Sequence, residues 1–279
     1  MIDGYELRQL EPALSPGLRG ASYAPDCGKI DPLKLCFAYA RGARRHGARV
    51  LVDAPVQAVV LEGERVIGVR TPKGTFYGDM VVNAAGSWAG QVAALAGLDA
   101  PVKPRRGQVV VSEAVGPLVR GVISSAAYFA LKFYPALQER FSEITRRLGH
   151  GFAVEQTQEG TLMLSYTNEF VGFDRRTTLE GLERILSVGC RFLPALREIH
   201  FIRGFSGLRP HTPDALPLVG PTALRPGFCF AAGHEGGGLA LNPITGVLVA
   251  QIFCGESPIV DPAPIAPDRL VRLSTEREK

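Results

Sequence analysis

The chain has 279 residues, 46% of them hydrophobic and 21% charged, with a formal net charge of +4. Such a chain buries a substantial core as one large domain or two intimate ones, which excludes a disordered or fibrous protein. Its basic residues at Arg44-Arg45 and 103–106 are not interleaved with aromatics, which argues against a nucleic-acid surface.

No stretch approaches about 20 uninterrupted apolar residues, so no membrane span is expected. MIDGYELRQLEPAL lacks the basic patch and apolar run of a secretory signal, and the expected location is cytoplasmic. The five cysteines are scattered without a CxxC pair, so neither a disulfide framework nor a metal site is expected, and the thiols are read as reduced and mostly buried. In chain order, DGYELRQLEP predicts a short helix closed by Pro12. Asp31 is placed to cap a second helix and Pro32 to open it; Leu33, Phe37, Ala40 and Ala43 carry its apolar face to Arg44-Arg45 and a stop at Gly47. Residues 48–84 read as β-rich: a strand at ARVLV, an antiparallel ribbon near 56–78, and a buried strand over 80–84. That last strand enters the turn Ala85-Gly86-Ser87-Trp88 and a helix over 89–95.

The middle of the chain has a different texture. A strand is predicted over 104–111, a helix over 134–148, a hairpin from 151–156 and 161–165, an amphipathic helix over 179–192 and a strand over 200–207. The stretch 226–255 then repeats the earlier pattern of strand, glycine-dense turn and helix: an apolar run ending at Ala232, the turn Gly233-His234-Glu235-Gly236-Gly237-Gly238, and apolar residues at helical spacing from Leu239 to Ile252. Glycines at such a junction permit positive φ and close approach of another molecule, and the helix start favours negative charge. The residues alone weigh a cofactor seat and a plain tight turn about equally. In a parallel sheet the two turns, near Gly86 and Gly233, would lie at the carboxyl ends of their strands and could clasp one nucleotide cofactor.

The order of GKIDPLKL, APVQAVV, VVNAAGSWA, PRRGQVVV, GLRPHTPDALPLVGPT and GFCFAAGHEGGGLALNPITGVLVAQ resembles the FAD-dependent amino-acid and amine oxidoreductases, the family of D-amino-acid oxidase, glycine oxidase and sarcosine oxidase. GFAVEQTQEGTLMLSYTNEFVGFD is more similar to subunits of heteromeric dehydrogenases for opines, proline or hydroxyproline and of glycine-oxidising cyanide synthase. The implied fold is α/β (α+β): an incomplete FAD-binding Rossmann-like sheet from 1–100 and 205–279, and an inserted antiparallel β-rich substrate domain over 101–204. One departure matters. The family opens with a strand, a GxGxxG turn and a helix that seat the FAD pyrophosphate, and no GxGxxG precedes Gly86 here. The expectation is a truncated frame, or half of an enzyme completed by a separate polypeptide.

The resemblance also implies site residues. Val56 corresponds to the position whose backbone meets adenine, and Ala85, Gly86 and Trp88 to the turn beside the FAD ribose and phosphates; for the Trp88 side chain, core packing is slightly favoured. Gly233, His234, Glu235, Gly236, Gly237, Gly238 and Leu239 correspond to the loop at the pyrimidine edge of the flavin. Arg209 is expected to pair with a substrate carboxylate, since a guanidinium fork suits a bidentate contact. Gln108 is a candidate polar contact near the flavin face, and Tyr128, Tyr134 and Tyr166 are candidate substrate-lining hydroxyls. The implied chemistry is oxidation of a C–N bond of an amino acid or secondary amine to an imine by hydride transfer to FAD. The alternatives are a non-catalytic or assembly-dependent subunit that holds no FAD alone, and, less favoured, an enzyme using a nicotinamide cofactor.

Overall fold

The computed structural model of the chain describes residues 1–127, 130, 134–149 and 151–274. In chain order its elements are β1 (Ile2–Asp3), α1 (Gly4–Leu10), β2 (Gly20–Ala21), α2 (Pro32–Arg45), β3 (Ala58–Glu62), β4 (Arg65–Thr71), β5 (Gly74–Tyr77), β6 (Val81–Asn83), α3 (Ala89–Ala94), β7 (Leu98–Asp99) and β8 (Lys103–Ala114). They continue with β9 (Val122–Ser124), α4 (Glu143–Arg147), β10 (Ala153–Gln156), β11 (Thr161–Ser165), α5 (Leu179–Phe192), β12 (Phe201–His211), β13 (Leu218–Pro221), β14 (Phe228–Ala232), α6 (Gly238–Cys254) and β15 (Arg272–Leu273). The chain divides into two compact units: Met1–Lys29 with Arg106–Leu208, and Ile30–Arg105 with Arg209–Lys279.

The first unit is built on a five-stranded sheet in the order β12-β8-β11-β10-β9. β10 and β11 form the expected antiparallel hairpin, with Gly160 at φ +90° in its turn. α5 starts at Thr178, whose hydroxyl accepts the Gly181 N–H, and buries Ile185 and Gly189. Phe152, Val154, Leu162, Leu164, Ile185 and Leu193 form the core, and Leu7 and Leu14 of the first segment pack into it. Residues 1–29 therefore belong with this unit and not with 30–105, contrary to the division expected from sequence. The Glu11 carboxylate strengthens the attachment by accepting from the Arg120 and Gly121 N–H groups at 3.0 and 2.6 Å. The helix expected over 134–148 is broken into a 3-10 turn, Pro135–Arg140, and α4. Ser142 is the reason: its extended backbone leaves its hydroxyl to cap Thr145 N–H, so it starts a new helix instead of continuing one.

In the second unit β13 pairs antiparallel with β14, and β14 pairs parallel with β6. Phe228, Phe230 and Leu218 of this sheet pack with Ala89 and Ala93 of α3, Val66 of the ribbon, and Val271. β3, β4 and β5 make the expected antiparallel ribbon, tied to β14 by the Val66 N–H donating to Pro226 O at 2.8 Å. The strand expected at 48–52 does not form. Val50, Leu51 and Val52 are 42–65% exposed, because a strand needs a neighbour and among the described residues none pairs with them. Nor are the cysteines mostly buried: Cys229 is, Cys190 is half-buried, and Cys27, Cys36 and Cys254 are exposed.

Three apolar surfaces of this unit are not covered. β6 ends its sheet, so its second edge carries no strand among the described residues. α2, capped by Asp31 as expected, buries none of its residues, and Leu33 and Phe37 are 70% and 69% exposed. α6 buries only Leu248. By length and composition alone, the segment Glu235–Cys254, with mean hydropathy 1.5, suffices to cross a membrane. Its first residues are nevertheless engaged by charged side chains of the same unit, as shown next.

Candidate functional site

The parallel pairing of β6 and β14 sets the site. Phe228 lies opposite Val81 and Phe230 opposite Asn83, so both strands end on the same edge of the sheet. The turn at 84–86 follows one of these ends and the turn at 233–235 follows the other. Asn83, 2% exposed, builds the first turn: its Oδ1 accepts the Ala85 N–H at 3.2 Å and its Nδ2 donates to Ala89 O at 2.9 Å. Gly86 takes φ +55° with open space where a Cβ would stand, so it is required by the backbone and not by crowding. Trp88 is 43% exposed, which corrects the expectation of core packing for its side chain.

The second turn is more constrained. Gly233 takes φ +82°, and a Cβ on it would lie 2.7 Å from Thr212 Cγ2, so both conformation and space demand glycine. His234 points along α6: its Nε2 lies 2.9 Å from Thr245 Oγ1, whose own hydroxyl donates to Leu241 O at 2.9 Å. With that hydroxyl proton committed, the imidazole must be the donor, which assigns the Nε2–H tautomer. Burial lowers the His234 pKa from its ordinary value, so the ring is neutral at physiological pH. It does not cap the helix. A 3-10 turn over Glu235–Gly237, in which the Gly237 N–H donates to His234 O at 2.9 Å, leads directly into α6, and neither has a side-chain cap.

Glu235 behaves differently from its neighbours. It is a non-glycine residue at φ +49°, and its side chain is only 5% exposed. Its carboxylate binds His211 Nδ1 and lies 3.4 Å from Arg105 Nη1. His211 stands two positions beyond Arg209 on β12, hence on the same face of that strand. Arg209 is half-buried, and its Nε lies 3.9 Å from where a Cβ on Gly236 would stand. Arg209 and the glycine loop are thus brought together. Arg105 and His211 were not singled out from sequence. Their signal was strand alternation in PRRG and GLRPH, which places them beside residues already chosen.

Gln108 is corrected outright. It is 0% exposed in the core of the other unit, where Nε2 donates to Glu169 Oε1 at 2.8 Å and to Thr178 Oγ1 at 3.1 Å, and Oε1 accepts the Thr178 N–H at 2.8 Å. Its amide is consumed in holding β8 to α5 and cannot also serve a substrate. Burial raises the Glu169 carboxyl, but the hydrogen bonds from Arg106, Thr167 and Gln108 outweigh it and the net shift is downward, so it is charged. Val56 is half-buried just before β3, in the ribbon and not in the sheet that carries the two turns. Tyr166 is buried and Tyr134 is 59% exposed; Tyr128 lies outside the described residues.

The chain is 31% identical over 265 residues to hydrogen cyanide synthase subunit HcnC of Pseudomonas aeruginosa, covering 94% of the chain and 58% of that protein. It is 28% identical to glycine oxidase of the same organism, covering 92% of the chain and 64% of that protein. Among solved structures, glycine oxidase from Geobacillus kaustophilus superposes with a TM-score of 0.81 at 27% identity over 100% of this chain and 67% of that one. L-proline dehydrogenase from P. horikoshii gives 0.84 at 26% identity over 96% and 67%. The chain therefore spans about three fifths of the length of these curated relatives, 58% of HcnC and 64% of glycine oxidase. The profile described as FAD dependent oxidoreductase matches residues 1–252, and the chain belongs to this family of FAD-dependent oxidoreductases, the DAO family.

Proposed function

We propose that this chain carries the substrate site and part of the flavin site of an oxidoreductase that oxidises the C–N bond of an amino acid or secondary amine. The observation that carries the reading is the parallel β6–β14 pair, which sets two glycine turns on one sheet edge, with Arg209 against the second. The residues fit FAD in a respect the geometry makes plain: α6 starts uncapped behind a run of glycines, and Gly86 leaves open space at the first turn. When bound, FAD supplies the acceptor for the hydride that leaves the carbon bearing the amine.

The chain's own residues have narrower duties. The start of α6 and the glycine loop before it would hold the pyrimidine edge of the flavin, where the positive end of the helix would favour negative charge. Ala85 and Gly86 would hold the ribose and phosphates. Arg209 holds the substrate carboxylate and thereby orients the amine-bearing carbon, and this positioning is the protein's main contribution. His234, hydrogen-bonded to Thr245, holds the loop to α6. Water then hydrolyses the released imine.

A complementing segment with the pyrophosphate-binding strand, turn and helix belongs to this proposal, supplied by the same or a separate polypeptide. The free edge of β6 and the uncovered surface of α6 support it. The test is the visible absorption spectrum of the purified chain, with whatever polypeptide accompanies it, before and after FAD is added. Bound-flavin bands that bleach anaerobically with proline, glycine or sarcosine, and that no longer bleach in Arg209→Ala, are the expected result. Flavin that binds and never bleaches with any amino acid or amine removes the catalytic reading and leaves a non-catalytic subunit.

A further inference from the structure

Glu235 is the exception in its loop. The residues around it at 233 and 236–238 are glycines, and Gly233 takes positive φ, yet a second left-handed position, at φ +49°, carries a carboxylate. Glycine would take that conformation without strain. A side chain kept there against backbone preference is held by its contacts, and those contacts are specific. The carboxylate is 5% exposed and binds His211 Nδ1, with Arg105 Nη1 at 3.4 Å. His211 and Arg209 share one face of β12, and Gly236, the next loop residue, stands against Arg209.

We infer that Glu235 is a positioning residue: by clamping His211 and Arg105 it ties the glycine loop to β12 and β8, and so holds Arg209 where a substrate carboxylate is received. The part of this inference that concerns substrate rests on the function proposed above; the tie itself does not. Its carboxylate is turned toward His211 and Arg105, so any contact of Glu235 with the flavin would be through its backbone.

The test separates a tie from a turn residue. Hydrogen–deuterium exchange of the full chain is measured over 233–239 in wild type, Glu235→Gly, His211→Ala and Arg209→Ala. Glu235→Gly relieves the strained backbone, so if the residue serves only the turn its exchange stays at or below wild type, and the inference falls. If it is a tie, Glu235→Gly and His211→Ala each speed exchange in the loop by roughly ten- to a hundredfold, the scale of a lost charge-assisted hydrogen bond, with β13 and β14 unchanged. The double variant then adds little to either single one. A rise spread evenly through β13, β14 and β6 makes Glu235 a general stabiliser and also overturns the inference. In the flavin-loaded protein, Glu235→Gly raises KM for the amino acid by a larger factor than it lowers kcat. Should Arg209→Ala leave substrate bleaching intact, the carboxylate reading fails while the tie stands or falls on exchange alone.

Discussion

At the scale of single residues, the site depends on positions where conformation and space make the same demand. Gly233 is the sharpest case. Alanine there meets an unfavourable φ of +82° and overlaps Thr212 Cγ2, which is 2.7 Å from the Cβ position. The expected loss is about 2–5 kcal/mol of unfolding free energy, measured by denaturant titration, with flavin uptake lost alongside. Asp174 gives a pH prediction. The Arg176 side-chain hydrogen bond, aided by its backbone N–H, lowers the Asp174 carboxyl from 3.8 to about 2. The folded state thus gives up this proton more readily than the unfolded chain, and the stabilisation is fully present above about pH 4 and lost as pH falls toward 2. Asp174→Asn should flatten that part of the acid-unfolding curve and leave stability near pH 7 little dependent on pH through this group. Glycines of this kind were legible in sequence as glycines. Which of them needed positive φ, and which faced another atom, was not.

Among the elements, the first unit turns on the seam between β8 and α5. Arg106, buried, donates to Glu169 at 2.7 Å, and Glu169 also receives Gln108 and Thr167. Removing Glu169 leaves the buried Arg106 with only its longer contact to Asp174, at 3.4 Å, so Glu169→Ala should cost about 3–5 kcal/mol in chemical denaturation. Gly181, in the first turn of α5, has the Gln108 amide where its Cβ would stand, and Gly181→Ala should cost about 1–3 kcal/mol by displacing it. The periodicity of 179–192 announced the helix. Nothing in the sequence disclosed that Gln108, 73 residues before Gly181, fills the space above that glycine. That is why Gln108 was read as a ligand contact and proved to be a structural one.

For the molecule as a whole, the uncovered surfaces of the second unit make a prediction about assembly. The Val81 N–H donates to Gly227 O at 2.8 Å, so Val81 faces β14 and, by the alternation of a parallel ladder, the N–H of Val82 points to the open edge. Val82 is 41% exposed. Proline at this position removes the outward donor without touching the bond to β14, which an edge strand tolerates. If the complementing segment of the proposed function is a separate polypeptide, Val82→Pro should leave the melting temperature nearly unchanged and abolish recruitment of that GxGxxG-bearing segment. Native mass spectrometry of tagged wild type and variant from the source cells reads this directly. Equal recovery of such a partner by both would show that it does not add a strand to β6.

The sequence alone settled what local pattern and glycine chemistry can settle. The short first helix, the helix capped at Asp31, the ribbon near 56–78, the hairpin around Gly160, the amphipathic helix over 179–192, and the two strand-to-glycine-to-helix junctions that carry the family resemblance all depend on neighbours in the chain. Tertiary structure decided everything that depends on distant partners. It attached residues 1–29 to the unit whose apolar core Leu7 and Leu14 complete, left 48–52 without a strand to pair with, and committed Gln108 to a buried network. It also brought His211 and Arg105 to Glu235, across 24 and 130 residues of chain. Periodicity reports which face of an element is apolar; which other face meets it is a long-range choice made by packing.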